Sequence, residues 1–455
     1  MLLKRFFSQS STGSMINRVN IGIFGAMNAG KSTLMNLITQ QPTSIVDKKP
    51  GTTADTKIAL MEIHSLGPVK LFDTAGLDEI GPLGLKKKEK TVSVIKETDL
   101  VLLIIDPTEN ITLETTNEIL QVSKLRSKKV LIIYNIFADK VKAFEDSNNK
   151  TINQRIKELH SNFKKQFRKV EKLEVDLSQK DSGKIIFEYM RKNWADFQPE
   201  VPLLPSIIGD GNSVVFLNIP MDEETPSGRL LRPQAMAQEF LLRNWISTFA
   251  YRMDLKKARS PKEEIRRIEK ERFLKAINSI KNNLSLLVTD SQAIDIIHPW
   301  TLDSQGNEIA NITTFSIMMA NYMSGGKLNR FIEGLDAFSK LKKGDKVLIC
   351  EACNHDRILD DIGTKQIPDK IKKKWGENTI EIDFAFGREY QNKKISDYKV
   401  ALHCGGCMID KQKMSSRLQD LTDAGVPITN YGIVLSYFKS DEALKRVLKP
   451  WIKKN

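Results

Sequence analysis

The chain is poor in several things, and each scarcity closes off a class of protein. In 455 residues there are four cysteines, five histidines and five tryptophans. So few thiols in so long a chain exclude a secreted scaffold stapled by disulfides. Long hydrophobic runs are also missing. The longest, Leu100–Ile105, is far too short to span a bilayer, so no membrane role is expected. No stretch interleaves aromatic and basic residues into a base-stacking platform. The formal charge of +14 therefore reads as lysine spread over helices, and nucleic acid is not the expected partner. Acidic residues are absent before Asp47. The opening stretch Met1–Ser14 carries Lys4, Arg5, bulky apolar residues and several serines without one acid, the pattern of an organellar targeting presequence.

What little cysteine there is lies close together. All four residues fall in the last quarter, as Cys350-Glu-Ala-Cys353-Asn-His355 and His403-Cys404-Gly-Gly-Cys407, with two of the five histidines in the same two words. Paired thiolates with imidazole suit a soft metal or an iron–sulfur cluster. By spacing alone a four-thiolate zinc site fits as well. Each word begins where a strand stops, after Val347–Ile349 and after Val400–Leu402, and the carboxyl ends of parallel strands form a ligand crevice.

The other concentrated signal is at the opposite end. Gly25-Ala-Met-Asn28-Ala29-Gly30-Lys31-Ser32-Thr33 follows the apolar run Val19–Phe24 and opens a helical pattern. This is a phosphate loop: its amides and Lys31 cradle the β- and γ-phosphates, and the Ser32 hydroxyl reaches Mg²⁺. Asp73-Thr-Ala-Gly76 follows the strand Val69–Phe72, giving a carboxylate that holds Mg²⁺ through water and a glycine amide for the γ-phosphate. Between them, Thr53 is placed to ligate Mg²⁺ from a nucleotide-dependent switch loop. The catalytic set is thus Lys31, Thr53, Asp73 and Gly76. A guanine-reading Asn-Lys-x-Asp word is expected after Val130–Tyr134, but the chain reads Asn135-Ile-Phe-Ala-Asp139, without the lysine and one residue longer. Asn135 and Asp139 are the base-reading candidates, and the segment around Ser178 is a weak match to the remaining guanine loop.

Strands and helices alternate through the first 196 residues and again through the last part of the chain, so the fold class is α/β. Three domains are expected: a doubly wound P-loop nucleotide domain over 15–196, a small central α/β unit over 197–280, and a Rossmann-like α/β unit over 281–455. Prolines at 199, 202 and 205 mark the first boundary. The run Lys256–Lys275 has opposite charges at helical spacing and reads as a solvated helix.

The nucleotide words resemble the GTPases of the Era and tRNA-modifying kind. In that group an asparagine at the place of Asn28 helps to bind K⁺, and Leu77 stands where other GTPases orient water with glutamine. The resemblance therefore implies slow GTP hydrolysis aided by K⁺. The metal words, with Asn218–Gln234, Thr289–Gln292, Asp361–Gly363 and Ala424–Gly432, resemble the [FeFe]-hydrogenase maturation GTPases of the HydF family over essentially the whole chain after residue 14. That resemblance implies a homodimer with GTPase, dimerisation and cluster domains in this order. It implies a [4Fe–4S] cluster on Cys353, Cys404 and Cys407, with His355, His403, Asp360 or an exogenous group as the fourth ligand, and it leaves Cys350 a buried strand residue. It also implies a transient diiron subcluster assembled with the radical-SAM maturases HydE and HydG and passed to apo-hydrogenase. With the presequence, the expected location is a hydrogenosome or other mitochondrion-related organelle. The competing expectation is an RNA-associated GTPase of the Era kind with a zinc-stabilised tail.

Overall fold

The computed structural model describes residues 18–39, 57–63, 67–74, 82–109, 113–126, 128–148, 150–167, 170–193, 201–209, 212–221, 230–352, 361–387, 390, 393–406 and 409–452. The presequence, Thr53, Gly76, Leu77, Cys353, His355, Asp360 and Cys407 lie outside the described residues. The chain divides into two compact units, Asn17–Pro199 and Glu200–Asn455.

The first unit is built on six strands: β1 Val19–Gly25, β2 Lys57–Ile63, β3 Gly67–Asp73, β4 Leu100–Ile105, β5 Lys129–Asn135 and β6 Glu171–Val175. Their order is β2-β3-β1-β4-β5-β6. Only the β2–β3 pair is antiparallel. Central β4 reads Leu-Val-Leu-Leu-Ile-Ile and is buried throughout, as a parallel strand covered on both faces must be. One face carries Ile21, Leu34 and Ile38, the other Phe24, Tyr134 and Phe163. Strand β6 was not anticipated. Its sequence, Glu-Lys-Leu-Glu-Val, is mostly exposed at the sheet edge, so it lacks the apolar run that marked the others.

The second unit holds two four-stranded parallel sheets over one continuous core. The first contains β7 Val214–Asn218, β8 Ser247–Tyr251, β9 Leu284–Thr289 and β10 Ile312–Thr314, in the order β10-β9-β7-β8. The second contains β11 Lys346–Glu351, β12 Glu381–Phe386, β13 Val400–His403 and β14 Ile428–Asn430, in the order β12-β11-β13-β14. Strand β9 was expected to open the third unit; instead it pairs with β7 from Val214↔Leu284 to Asn218↔Thr289, and β10 pairs with it in turn. The helix Glu263–Ile280 is the crossover that returns the chain to this sheet. Its charged run is therefore not merely solvated: Glu269, Phe273 and Ile277 are buried. Glu269 accepts hydrogen bonds from the Tyr251 hydroxyl (2.9 Å) and from Arg272 (2.8 Å).

Candidate nucleotide and cluster sites

The phosphate loop leaves the carboxyl end of β1 and enters the helix Lys31–Thr39. Two glycines are required by its shape. Gly25 has φ +150°, and a side chain there would meet the Ile104 carbonyl oxygen at 2.4 Å. Gly30 has φ +111°, and a Cβ would lie 2.5 Å from Asn135 Nδ2. Asn28 takes the left-handed conformation at φ 62° and is exposed at the loop's tip, beside exposed Met27. Ala29 is buried beneath the loop, while Thr33 is exposed on the helix. Lys31 donates from Nζ to the carbonyls of Gly25 (3.1 Å) and Ala26 (2.6 Å), so its ammonium sits within the loop's cup.

Asp73 ends β3, which pairs with β1 in register Ile23↔Asp73, and this brings the carboxylate to the loop. The Ser32 hydroxyl donates to Asp73 Oδ2 at 3.3 Å. Asp73 is buried, and its Oδ1 has no hydrogen-bond partner among the described residues. Burial pushes its carboxyl above the ordinary value, while the charge of Lys31, the Ser32 bond and Lys57 pull it down. A buried carboxylate oxygen without a donor, beside a serine hydroxyl, fits a hydrated divalent cation. Thr74 fixes this turn by donating from N (3.3 Å) and Oγ1 (2.8 Å) to the Ile23 carbonyl.

Asn135 does something the sequence reading missed. It is fully buried at the end of β5, donates from Nδ2 to the Ala29 carbonyl (2.9 Å) and accepts from the Leu177 amide (3.0 Å). The residue thus ties the phosphate loop to the loop after β6, instead of facing a base with its side chain. In that second loop Asp176 accepts from the amide and hydroxyl of Ser178 (2.9 and 2.6 Å), a closed turn at the place of the remaining guanine loop. Asp139 is exposed in the first turn of the helix Ala138–Asn148. Lys140 beside it pairs with Asp106 (2.8 Å) and Glu109 (3.0 Å). The asparagine before a polar turn at a strand end was the available signal for this bridge.

In the second unit, β11 and β13 are parallel neighbours with Cys350 opposite His403, so the two cysteine words leave adjacent strand ends. The Cys404 amide donates to the Cys350 carbonyl (2.9 Å), and the Ala352 amide points at Cys404 Sγ (3.3 Å). Cys353 is the next residue in the chain after Ala352. Cys350 itself is buried within β11, and burial pushes its thiol up to about 12. Among the described residues no group of three metal-ligating side chains is assembled.

His403 departs from expectation. Both ring nitrogens are engaged inside the protein: Nε2 accepts from Arg417 Nε (3.1 Å), so Nδ1 carries the proton, and it lies 2.9 Å from the Cys404 carbonyl. Burial, with Arg417 beside it, depresses the imidazole to about 3 and keeps it neutral. In this arrangement the Nε2 lone pair is taken by the guanidinium and Nδ1 faces the backbone of Cys404, so neither ring nitrogen is turned to a metal.

The fold and first site define a P-loop GTPase, a GTP-hydrolysing domain of a known class. A model of 50S ribosome-binding GTPases matches residues 20–136. The remainder is matched by two models of one family: the hydrogen maturase F dimerization domain over 203–324 and its tetramerization domain over 329–450. Together they take in more than half of the chain, which therefore belongs to the hydrogen maturase F family. The tRNA modification GTPase MnmE of Lactobacillus gasseri is 35% identical over 117 residues, 25% of this chain and 24% of that protein. GTPase Der of Nautilia profundicola is 36% identical over 124 residues, 27% of each. The chain thus spans about a quarter of the length of these curated relatives. Among solved structures, Era of Aquifex aeolicus is 24% identical, with 41% of this chain and 58% of that one covered at a TM-score of 0.31.

Proposed function

We propose that this hydrogenase maturation GTPase is a scaffold that holds a [4Fe–4S] cluster on Cys353, Cys404 and Cys407 and carries a diiron precursor to apo-[FeFe]-hydrogenase. The observation that supports it most is that the two cysteine words start from adjacent parallel strand ends, with an amide aimed at Cys404 sulfur. Hydrogen bonds from backbone amides to thiolate are what a cluster-bearing cysteine uses to spread its charge. When bound, the cluster would supply an iron with an exchangeable position. His355 or Asp360 is the candidate within the chain for that position, an exogenous ligand being the alternative; His403 is spent on Arg417. The precursor would come from the radical-SAM maturases HydE and HydG. The named dimerization and tetramerization domains support a homo-oligomer built on a dimer. GTP with Mg²⁺, and K⁺ at Asn28, would gate partner release from the first unit. The presequence pattern supports a hydrogenosome or related organelle as the location.

Anaerobic reconstitution with iron and sulfide tests this. Serine at Cys353, Cys404 or Cys407 should abolish most of the cluster absorbance, while Cys350→Ser should keep it. Stoichiometric zinc with no charge-transfer band would leave the rival, an RNA-associated GTPase with a zinc-stabilised tail.

A further inference from the structure

Arg417 is one of the largest fully buried side chains in the protein, at 1% exposure, in the helix Lys411–Asp423 that follows the second cysteine word. Its partners are all neutral. Nε donates to His403 Nε2 (3.1 Å), Nη1 donates to the Gly387 carbonyl (2.8 Å), and the guanidinium lies 4.5 Å from the centre of the Tyr390 ring. Among the described residues Nη2 has no hydrogen-bond partner. No carboxylate pairs with it among the described residues. The contrast with Arg446 is informative: that arginine is also buried, but Glu308 stands 3.7 Å from its Nε and its Nη atoms reach the carbonyls of His298, Thr301 and Ala310. A guanidinium held away from water without a counter-charge destabilises a fold strongly. Something anionic should answer it.

The thiolate site is linked to it and could supply that anion. His403 connects the two: one ring nitrogen takes the Arg417 bond and the other meets the carbonyl of Cys404. A [4Fe–4S]²⁺ core on three thiolates is net anionic and becomes more so on reduction. We propose that Arg417 is a built-in counter-charge for that cluster, a positioning residue that sets its reduction potential and acts on Cys404 through His403. This rests on the cluster reading above. In the metal-free chain the charge is a cost to the fold; with the cluster in place it is compensated, and it favours the reduced, more negative form.

The test uses full-length protein reconstituted anaerobically as wild type, Arg417→Met and Arg417→Lys. Iron and sulfide are assayed, and the cluster is titrated redox-potentiometrically with detection by electron paramagnetic resonance. The Met variant should take up iron and sulfide and titrate at a more negative midpoint than wild type. The Lys variant keeps the charge and should titrate near wild type. Metal-free Arg417→Met should melt no lower than metal-free wild type, because an apolar side chain replaces an unpaired buried charge. An unchanged midpoint in the Met variant, or a Lys variant displaced as far as an uncharged one, would overturn the proposal. If the Met variant does not fold, the metal-free fold depends on this charge, which also overturns it. A wild type loaded with zinc and lacking sulfide would overturn the cluster reading and this inference together, and is told apart by the metal assay alone.

Discussion

Replacing Asn135 by alanine isolates what holds the nucleotide loops in register. The side chain is fully buried and makes two bonds to backbone, Nδ2 to the Ala29 carbonyl at 2.9 Å and Oδ1 from the Leu177 amide at 3.0 Å. Truncation strands one carbonyl and one amide, each at about 1–3 kcal/mol when buried. Allowing for some water entry, the two loops lose about 2–4 kcal/mol of mutual support. If binding must restore that order, the nucleotide dissociation constant rises roughly 30- to 1,000-fold, since each 1.4 kcal/mol is about tenfold. The assay is titration of a fluorescent guanine nucleotide in excess Mg²⁺, beside thermal melting of the first unit. The same side chain gives an internal check. A Cβ on Gly30 would lie 2.5 Å from Asn135 Nδ2, so Gly30→Ala should be severe in wild type and less than additive on Asn135→Ala. It cannot become neutral, because φ +111° still strains any L side chain. Nucleotide affinity within about threefold of wild type for Asn135→Ala would refute the bridging role, as RT ln 3 is below the cost of one lost bond.

Lys31→Ala should remove measurable nucleotide binding, since the β- and γ-phosphates lose the ammonium that sits in the loop's cup; equilibrium dialysis with labelled GTP checks this. Asp73 has a raised pKa because burial outweighs Lys31, Ser32 and Lys57. Its proton should therefore compete with Mg²⁺ at higher pH than for an ordinary carboxylate, and Mg²⁺-dependent affinity should fall first as the medium is acidified. The same sign means that ionised Asp73 costs stability in full above its folded pKa, a cost that shrinks as pH falls through that value and is gone below the unfolded value. Asp73→Asn should thus melt no lower than wild type without nucleotide, yet lose the Mg²⁺ effect. Cys350, buried with its thiol pushed up to about 12, should resist iodoacetamide at pH 8 in folded metal-free protein while half-buried Cys404 reacts; equal labelling by peptide mass analysis would contradict the burial.

Much of this molecule could be read before its coordinates, where chemistry forces residue type and spacing together. The phosphate loop needs glycine where φ is positive, and the sequence puts Gly25 and Gly30 there. Strands β4 and β5 announce themselves because both faces are buried, which demands nearly unbroken apolar runs, and β1 because a short β-rich run feeds the glycine loop. Strands answering to weaker constraints did not show. Strand β6 is charged and at an edge, and β10 and β14 are three residues each, too short for any periodicity. The sheet to which β9 belongs was also invisible, because its apolar sequence fits either sheet and only hydrogen-bond pairing with β7 decides. In the sites, types were legible and orientations were not. Asn135 stood among the base-reading candidates, and His403 among four candidates for the fourth cluster position. Each is instead consumed by a neighbour far along the chain, Leu177 and Arg417 respectively, which no local spacing reveals.

The second unit joins what its two family domains name separately. The loop after β13 is gripped from the first of its sheets: Arg232, buried at the start of the helix Arg232–Arg243, donates from Nη1 to the Ile409 carbonyl at 2.8 Å. Gly405 leaves room where a side chain would come within 3.3 Å of Met319 Cβ. Ser316 donates to Asn430 Oδ1 (3.0 Å), and Asn430 Nδ2 donates to the His403 carbonyl (3.2 Å). The backbone that carries Cys404 is therefore held on one side by Arg417 through His403, and on the other by residues of the domain named for dimerization. A shift of the helices Arg232–Arg243 or Phe315–Met323 would have to break one of these bonds or move the cysteine loop with it. If self-association draws on this domain and moves those helices, a ligand bound at the cysteine loop should change association by the same free energy by which association changes its binding, and sedimentation with and without reconstituted metal checks this.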